Sequence, residues 1–306
     1  MPFTTIIGTF HLVGRTKSGT ASGFEPDGDS MQFKPVNPQL LDELERQGAK
    51  YRLTSIGSTQ LRFEGIDALE LHFDGLSQPR PLADQSRDFL TGKLGMNPVP
   101  YTPPENLRVK PPVAKDGTAG FILSRSLEVH GRPVSFAYTG PPPAVDGSNV
   151  RLDAPLLRRS LNFKSLAAGD AYPLFYDTLF GDLRDVLAKT AASARQQRKG
   201  LWGSDLSRTG LAVTTRDGLQ HTAVVFPKLF RRLTEYLKTN AELTGFLPWL
   251  QASQEQVLDL ATQNFTHLDN LLTVNGNTIT LNRDPEQIVF ISAKSTSAKA
   301  NPWLSH

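Results

Sequence analysis

Apolar and β-branched positions crowd residues 4–13, TTIIGTFHLV, in the manner of a strand. A Gly/Ser/Asp-rich stretch follows as far as Asp27-Gly28-Asp29-Ser30, and a short strand is predicted at residues 31–33. Asn37-Pro38 sets a capping side chain before a proline in the first helical position, so residues 39–47, QLLDELERQ, read as a short helix ending near Gly48. Residues 51–57 and 58–66 are strand-like. The period then changes: Leu82, Ser86, Phe89, Leu90 and Leu94 fall on one face of a helix at residues 81–94. Residues 97–118 are dense in proline and predict a loop. Residues 119–140 return to β character around a turn near His130-Gly131. Two helices are predicted beyond it, at residues 156–171 and, with Leu183, Val186, Leu187, Ala191 and Ala194 at helical spacing, at residues 182–200.

A second region begins after about Asp205. Phe226, Leu229, Phe230, Leu233 and Leu237 make an apolar stripe on one helix, and residues 253–265 predict another. Residues 271–281, LLTVNGNTITL, predict a hairpin in which Asn275-Gly276 would supply the two positive φ angles of a type I′ turn. Residues 287–293 predict a last strand, and the remainder a tail. The expected division is 1–205 and 206–306, with no internal repeat.

Composition narrows the chemistry. None of the 306 residues is cysteine, which excludes a disulfide scaffold, a thiol nucleophile and a Cys-ligated zinc or iron–sulfur site. Net charge is +3, and residues from Gly210 onward are neutral, so a polyanion must be recognised by a local site rather than by the whole field. No apolar run approaches the roughly 18 residues of a membrane span. The N-terminus lacks the basic start of a signal peptide, and a cytoplasmic protein with no membrane partner is expected. Residues 14–21 have the glycine spacing of a phosphate loop without its lysine, the six histidines show no metal-ligand pairing, and no GxSxG elbow occurs.

Three pieces survive this filter: Asp27-Gly28-Asp29-Ser30; residues 61–70, LRFEGIDALE; and residues 130–138, HGRPVSFAY. Taken singly, each also reads as ordinary structure, namely a turn, exposed charges on a half-buried strand, and a solvated Gly-Arg turn. Jointly they offer hard oxygen donors suited to Ca²⁺, arginine forks that match a phosphate, and a spare carboxylate able to orient water. Phosphodiester hydrolysis needs that combination.

In their order along the chain these pieces resemble the staphylococcal nuclease (thermonuclease) family, whose pattern runs DGDT, then R-L-x-G-I-D-T-P-E, a helix, and Y-G-R-x-L-A-Y. The likeness continues through residues 162–171, NFKSLAAGDA, and SARQQRKGLWG, and covers the chain to about Gly203. It implies an α+β protein, a five-stranded OB-type β-barrel with three helices, carrying insertions near 34–60 and 97–118 and followed here by a small C-terminal α+β region. It further implies that Asp29, Asp67 and the Ala68 carbonyl hold Ca²⁺ or another divalent metal, that Glu70 orients or deprotonates water, and that Arg62 and Arg132 clamp the phosphate. The implied activity is a metal-dependent nuclease cutting DNA and/or RNA to 3′-phosphate ends. Three departures stand in the motifs. Ala68 replaces Thr, and only its carbonyl is needed. Leu69 replaces Pro, which is expected to loosen the turn that aims Glu70. His130 replaces a nucleotide-contacting Tyr and becomes a candidate substrate-binding residue.

The alternative is a non-catalytic OB-fold nucleic-acid-binding or scaffolding protein. The C-terminal stripe adds a choice between packing on the barrel and a protein partner or self-association.

Overall fold

The strand expected at the start of the chain forms at Phe3–His11 and is the axis of the main sheet in the computed structural model, which describes residues 2–292. It pairs antiparallel with Gln32–Pro35 on one side and with Thr118–Leu127 on the other. Pro133–Thr139 pairs with Thr118–Leu127, and Arg62–Phe63 lies parallel to Pro133–Thr139 at that end of the sheet. At the opposite end Thr59–Gln60 pairs with Gln32–Pro35. Leu61 alone separates Thr59–Gln60 from Arg62–Phe63, so one short segment serves both ends and the sheet is nearly closed into a barrel. Closure of this kind removes the unpaired edges of an open sheet. Glu45–Arg46 and Asn149–Val150 bring the sheet to eight strands, and the described residues contain seven α-helices.

Gly8 and Gly120 face each other where Phe3–His11 pairs with Thr118–Leu127. A Cβ on Gly8 would stand 2.2 Å from the Lys34 carbonyl, and one on Gly120 2.3 Å from that of Tyr138, so the curl of the sheet depends on both. The interior is filled from strand faces by Ile6, Phe10, Phe33, Phe121 and Phe136, all fully buried. Asn162, on the helix Leu161–Ala168, fastens the wall. Its side chain accepts from the Ala137 amide (3.0 Å) and donates to the carbonyls of Ser135 (3.0 Å) and Glu64 (2.9 Å).

A second core joins the two halves of the chain. Leu69, Leu71, Tyr172, Leu174 and Trp202 pack with residues of the C-terminal region such as Phe226, Phe230, Leu233 and Phe290. Phe175–Tyr176 also pairs in parallel with Ile288–Phe290. The apolar stripe of the helix Pro227–Tyr236 is therefore internal, with Phe226, Phe230 and Leu237 all buried.

Several local expectations give way to pairing between distant segments. Residues 39–47 form a single 3₁₀ turn, Pro38–Leu41, capped by Asn37, because Glu45–Arg46 joins the sheet beside Ser126 and Leu127. Residues 51–57 form no strand; Thr54 and Ser58 close a turn there. The helix expected at residues 156–171 is two, Ala154–Arg159 and Leu161–Ala168, because Ser160 leaves helical geometry and caps the second with its hydroxyl. Residues 253–265 are not helical: Gln256–Asp259 lies between Asn264–His267 and Ile288–Phe290. The hairpin at residues 271–281 forms as Leu272–Asn275 with Thr278–Leu281, its loop is Gly276-Asn277, and of the two only Gly276 takes a positive φ (+59°), which corrects the type I′ assignment. The expected tail lies outside the described residues.

Candidate active site

Two segments deliver four carboxylates, Asp27, Asp29, Asp67 and Glu70, to one place. The 27–30 turn is pressed against the chain that carries Asp67, since a Cβ on Gly28 would lie 2.6 Å from the Ala68 Cβ and 2.8 Å from the Ser86 Cβ. Glycine is what permits this approach. Asp29 Oδ2 consequently lies 3.4 Å from the Ala68 amide. Asp67 is fixed by antiparallel pairing with Tyr172 and is 1% exposed. Glu70 is held by its backbone. Its N–H donates to the Gln78 side-chain oxygen (3.1 Å), and its carbonyl accepts from the Gln78 amide (2.8 Å). The Gln78 amino group in turn donates to the carbonyls of Ala223 (2.7 Å) and Val225 (2.8 Å). Gln78 thus supplies the rigidity that Leu69 was expected to cost, and ties Glu70 to the segment leading into the helix Pro227–Tyr236.

That helix contributes a residue that motif reading does not reach. Arg231 donates from Nη2 to Asp67 Oδ2 (2.8 Å), from Nη1 to Asp67 Oδ1 (3.2 Å), and from Nη1 to Glu70 Oε1. Such a fork is strong in a low-dielectric site. One guanidinium nevertheless faces a surplus of negative charge. Burial, then the charge of Asp67, pushes Asp29 up to about 7 against the pull of Arg62 and Arg231. Burial, then Asp29 and Glu70, pushes Asp27 well above the carboxylate range. Glu70 is also raised, by burial first, despite the opposing charge of Arg231.

Beside this cluster is a cavity of about 530 Å³. Arg62, His130 and Arg132 all line it, as do Tyr176, Lys228 and Arg232. The Arg62 guanidinium lies 5.6 Å from the centre of the Tyr176 ring and has no ion-pair partner among the described residues. Arg132 donates from Nε to Glu128 Oε1 at 3.2 Å. Burial raises Glu128, but the backbone and side chain of Arg132 outweigh it, so the carboxyl sits below its usual range. Lys228 and Arg232 share Glu255, with the Lys228 ammonium 2.7 Å from Oε1. Lys228 also donates to the Tyr176 hydroxyl at 3.3 Å. Burial raises Tyr176, and the charges of Lys228 and Arg62 reverse that to a net lowering. His130 is exposed at the rim.

The residues named from the sequence therefore stand in two adjoining groups: Asp29, Asp67, Ala68 and Glu70 in the cluster, and Arg62, Arg132 and His130 on the cavity. Arg231, Gln78, Tyr176, Lys228 and Arg232 were missed. Lys228, Arg231 and Arg232 were legible only as cations at helical spacing beside the Phe230 stripe, a pattern that ordinarily marks a solvated face.

The donors suit a hard divalent cation in kind, being carboxylates and a backbone carbonyl, and the carboxyls are raised by burial first and by one another's charge second. Their present arrangement is fitted to the Arg231 guanidinium, and no group of three or more metal-ligating side chains is set around a common point among the described residues. No helix among the described residues is long and apolar enough to cross a membrane. No family model matches the chain, and no curated protein matches it.

Glu64 gives a pH prediction separate from the cluster. It lines the cavity, and burial pushes it up to about 7 against Arg62 and Arg125. Its folded pKa is above the unfolded value, so its contribution to stability is complete below about pH 4 and is lost as pH rises through about 7. Glu64→Gln should leave the melting temperature nearly unchanged at pH 5 and raise it by roughly a few degrees at pH 8. Equal shifts at both pH values would show that Glu64 is ionised throughout.

Proposed function

We propose that the chain is a nucleic-acid phosphodiesterase of the thermonuclease type, built on an OB-type barrel. The observation that carries this reading is convergence. Asp29, Arg62, Asp67, Glu70 and Arg132, distributed over about 100 residues of sequence, meet at one carboxylate cluster and its neighbouring cavity. A phosphate in the cavity would meet Arg62, whose fork no carboxylate holds among the described residues, and Arg132, which can turn from Glu128. Tyr176 offers a ring for a base to stack on, and Lys228 and Arg232 extend the cationic wall along the nucleic-acid backbone. Glu70, fixed by Gln78, is the group that would orient a water for in-line attack, and both arginines would stabilise the added charge on phosphorus. Asp29, Asp67 and the Ala68 carbonyl would hold Ca²⁺ or a similar ion, which when bound supplies Lewis-acid stabilisation of that charge.

A second reading, a nucleic-acid-binding protein without catalysis, is favoured by one feature, the Arg231 guanidinium resting on Asp67 and Glu70. Cleavage of end-labelled single-stranded DNA and RNA separates the two. The nuclease reading expects cutting with Ca²⁺ or Mg²⁺, none with chelator, 3′-phosphate ends, and a collapse of rate in Glu70→Gln. Binding that survives chelation with no cutting under any ion would establish the second reading.

A further inference from the structure

We infer that Arg231 is the chain's own cation for the carboxylate cluster, competing with a divalent metal for Asp67 while it holds Glu70, and so setting how readily the site is loaded. This rests on the thermonuclease-type reading of Asp29, Asp67 and Ala68. Three observations support it. First, the guanidinium engages both oxygens of a carboxylate that is 1% exposed, so a ligand reaching Asp67 meets Arg231 there. Second, Arg231 is delivered by a helix that cannot easily withdraw. Phe226, Leu229, Phe230 and Leu233 are each no more than 2% exposed, and Lys228 and Arg232 are pinned by Glu255. Exchange must therefore occur by rotation of the Arg231 side chain, which is 19% exposed and borders solvent. Third, the same side chain bridges Asp67 and Glu70, so a metal that displaced it would also release Glu70. Loading the ion and freeing the water-orienting carboxylate become one event.

The energetic logic is that of a buried ion pair. Removing the arginine alone leaves Asp67 uncompensated, which is strongly destabilising, and a divalent ion can restore the balance. Ca²⁺ affinity depends on ligand charge, and the charge left on Asp67 favours the ion once Arg231 is gone.

The test uses the full chain as wild type, Arg231→Met and Arg231→Lys, with Ca²⁺ binding followed by calorimetry and thermal stability measured in chelator and in millimolar Ca²⁺. Arg231→Met is expected to melt below wild type in chelator, to be rescued by Ca²⁺, and to bind the ion at least about tenfold more tightly than wild type. Arg231→Lys, a point charge without the fork, should fall between the two. Should Arg231→Met be unfolded in chelator, Ca²⁺ is expected to refold it. Equal Ca²⁺ affinity in wild type and Arg231→Met, or a destabilised Arg231→Met that Ca²⁺ does not rescue, would overturn the inference. The two readings fail separately. Rescue and tighter binding without cleavage by any variant would retain Arg231's role and reject the nuclease. Ca²⁺-dependent cleavage by wild type with unaltered affinity in Arg231→Met would do the reverse.

Discussion

On the proposed nuclease reading, replacing Arg62 with alanine is expected to slow phosphodiester cleavage by about 10²–10³-fold, the usual cost of losing one preorganised stabiliser of transition-state charge. The side chain is set up for that role. It leaves the short strand Arg62–Phe63, which is locked parallel to Val134 and Ser135, two residues from Arg132. Its guanidinium faces the Tyr176 ring, and its charge reaches both Asp29 and Asp67 without being neutralised by an ion pair among the described residues. Arg132→Ala should cost a comparable factor, although part of its charge is already shared with Glu128. The conservative change Arg62→Lys should recover little, because a point charge cannot present two parallel donors to a phosphate. Single-turnover rates at saturating substrate are the measurement, with circular dichroism confirming the fold. A loss below about tenfold in either alanine variant would remove these arginines from the chemistry.

The parts of this site that the sequence made legible are those whose neighbours are close in sequence. Asp29 in its Asp-Gly-Asp turn, Arg62 and Glu70 flanking Gly65-Ile66-Asp67, and Arg132 in a hairpin turn each carry a local pattern. The long strands Phe3–His11 and Thr118–Leu127 and the helices Arg80–Lys93 and Gly181–Gln196 were readable for the same reason, since their period is written within one element. What was not legible depends on distant partners. The 3₁₀ turn and short strand near residues 38–46 exist because Leu127 offers a free edge about 80 residues on. Gln256–Asp259 becomes a strand because Ile288–Phe290 pairs with it. Arg231 is the sharpest case. Its neighbours in sequence, Phe230 and Arg232, say only that it lies on an amphipathic helix, whereas its partners Asp67 and Glu70 precede it by 164 and 161 residues.

Phe230→Ala is expected to destabilise the whole molecule by about 3–5 kcal/mol, the typical cost of emptying a fully buried phenylalanine site. Phe230 is 0% exposed and belongs to the core that joins Leu69, Leu71, Tyr172 and Trp202 to the C-terminal region. That core also carries the last strand, Ile288–Phe290, which pairs with Phe175–Tyr176 and so extends the coupling into the N-terminal region. The cavity left by the ring therefore weakens both halves together. One cooperative transition is expected in thermal and denaturant unfolding, lowered by roughly 10 °C and without a new low-temperature phase. A first transition shifted alone, with the rest of the chain melting as in wild type, would make residues 206–292 an independently folded unit and the carboxylate cluster's guanidinium a visitor from a separate domain.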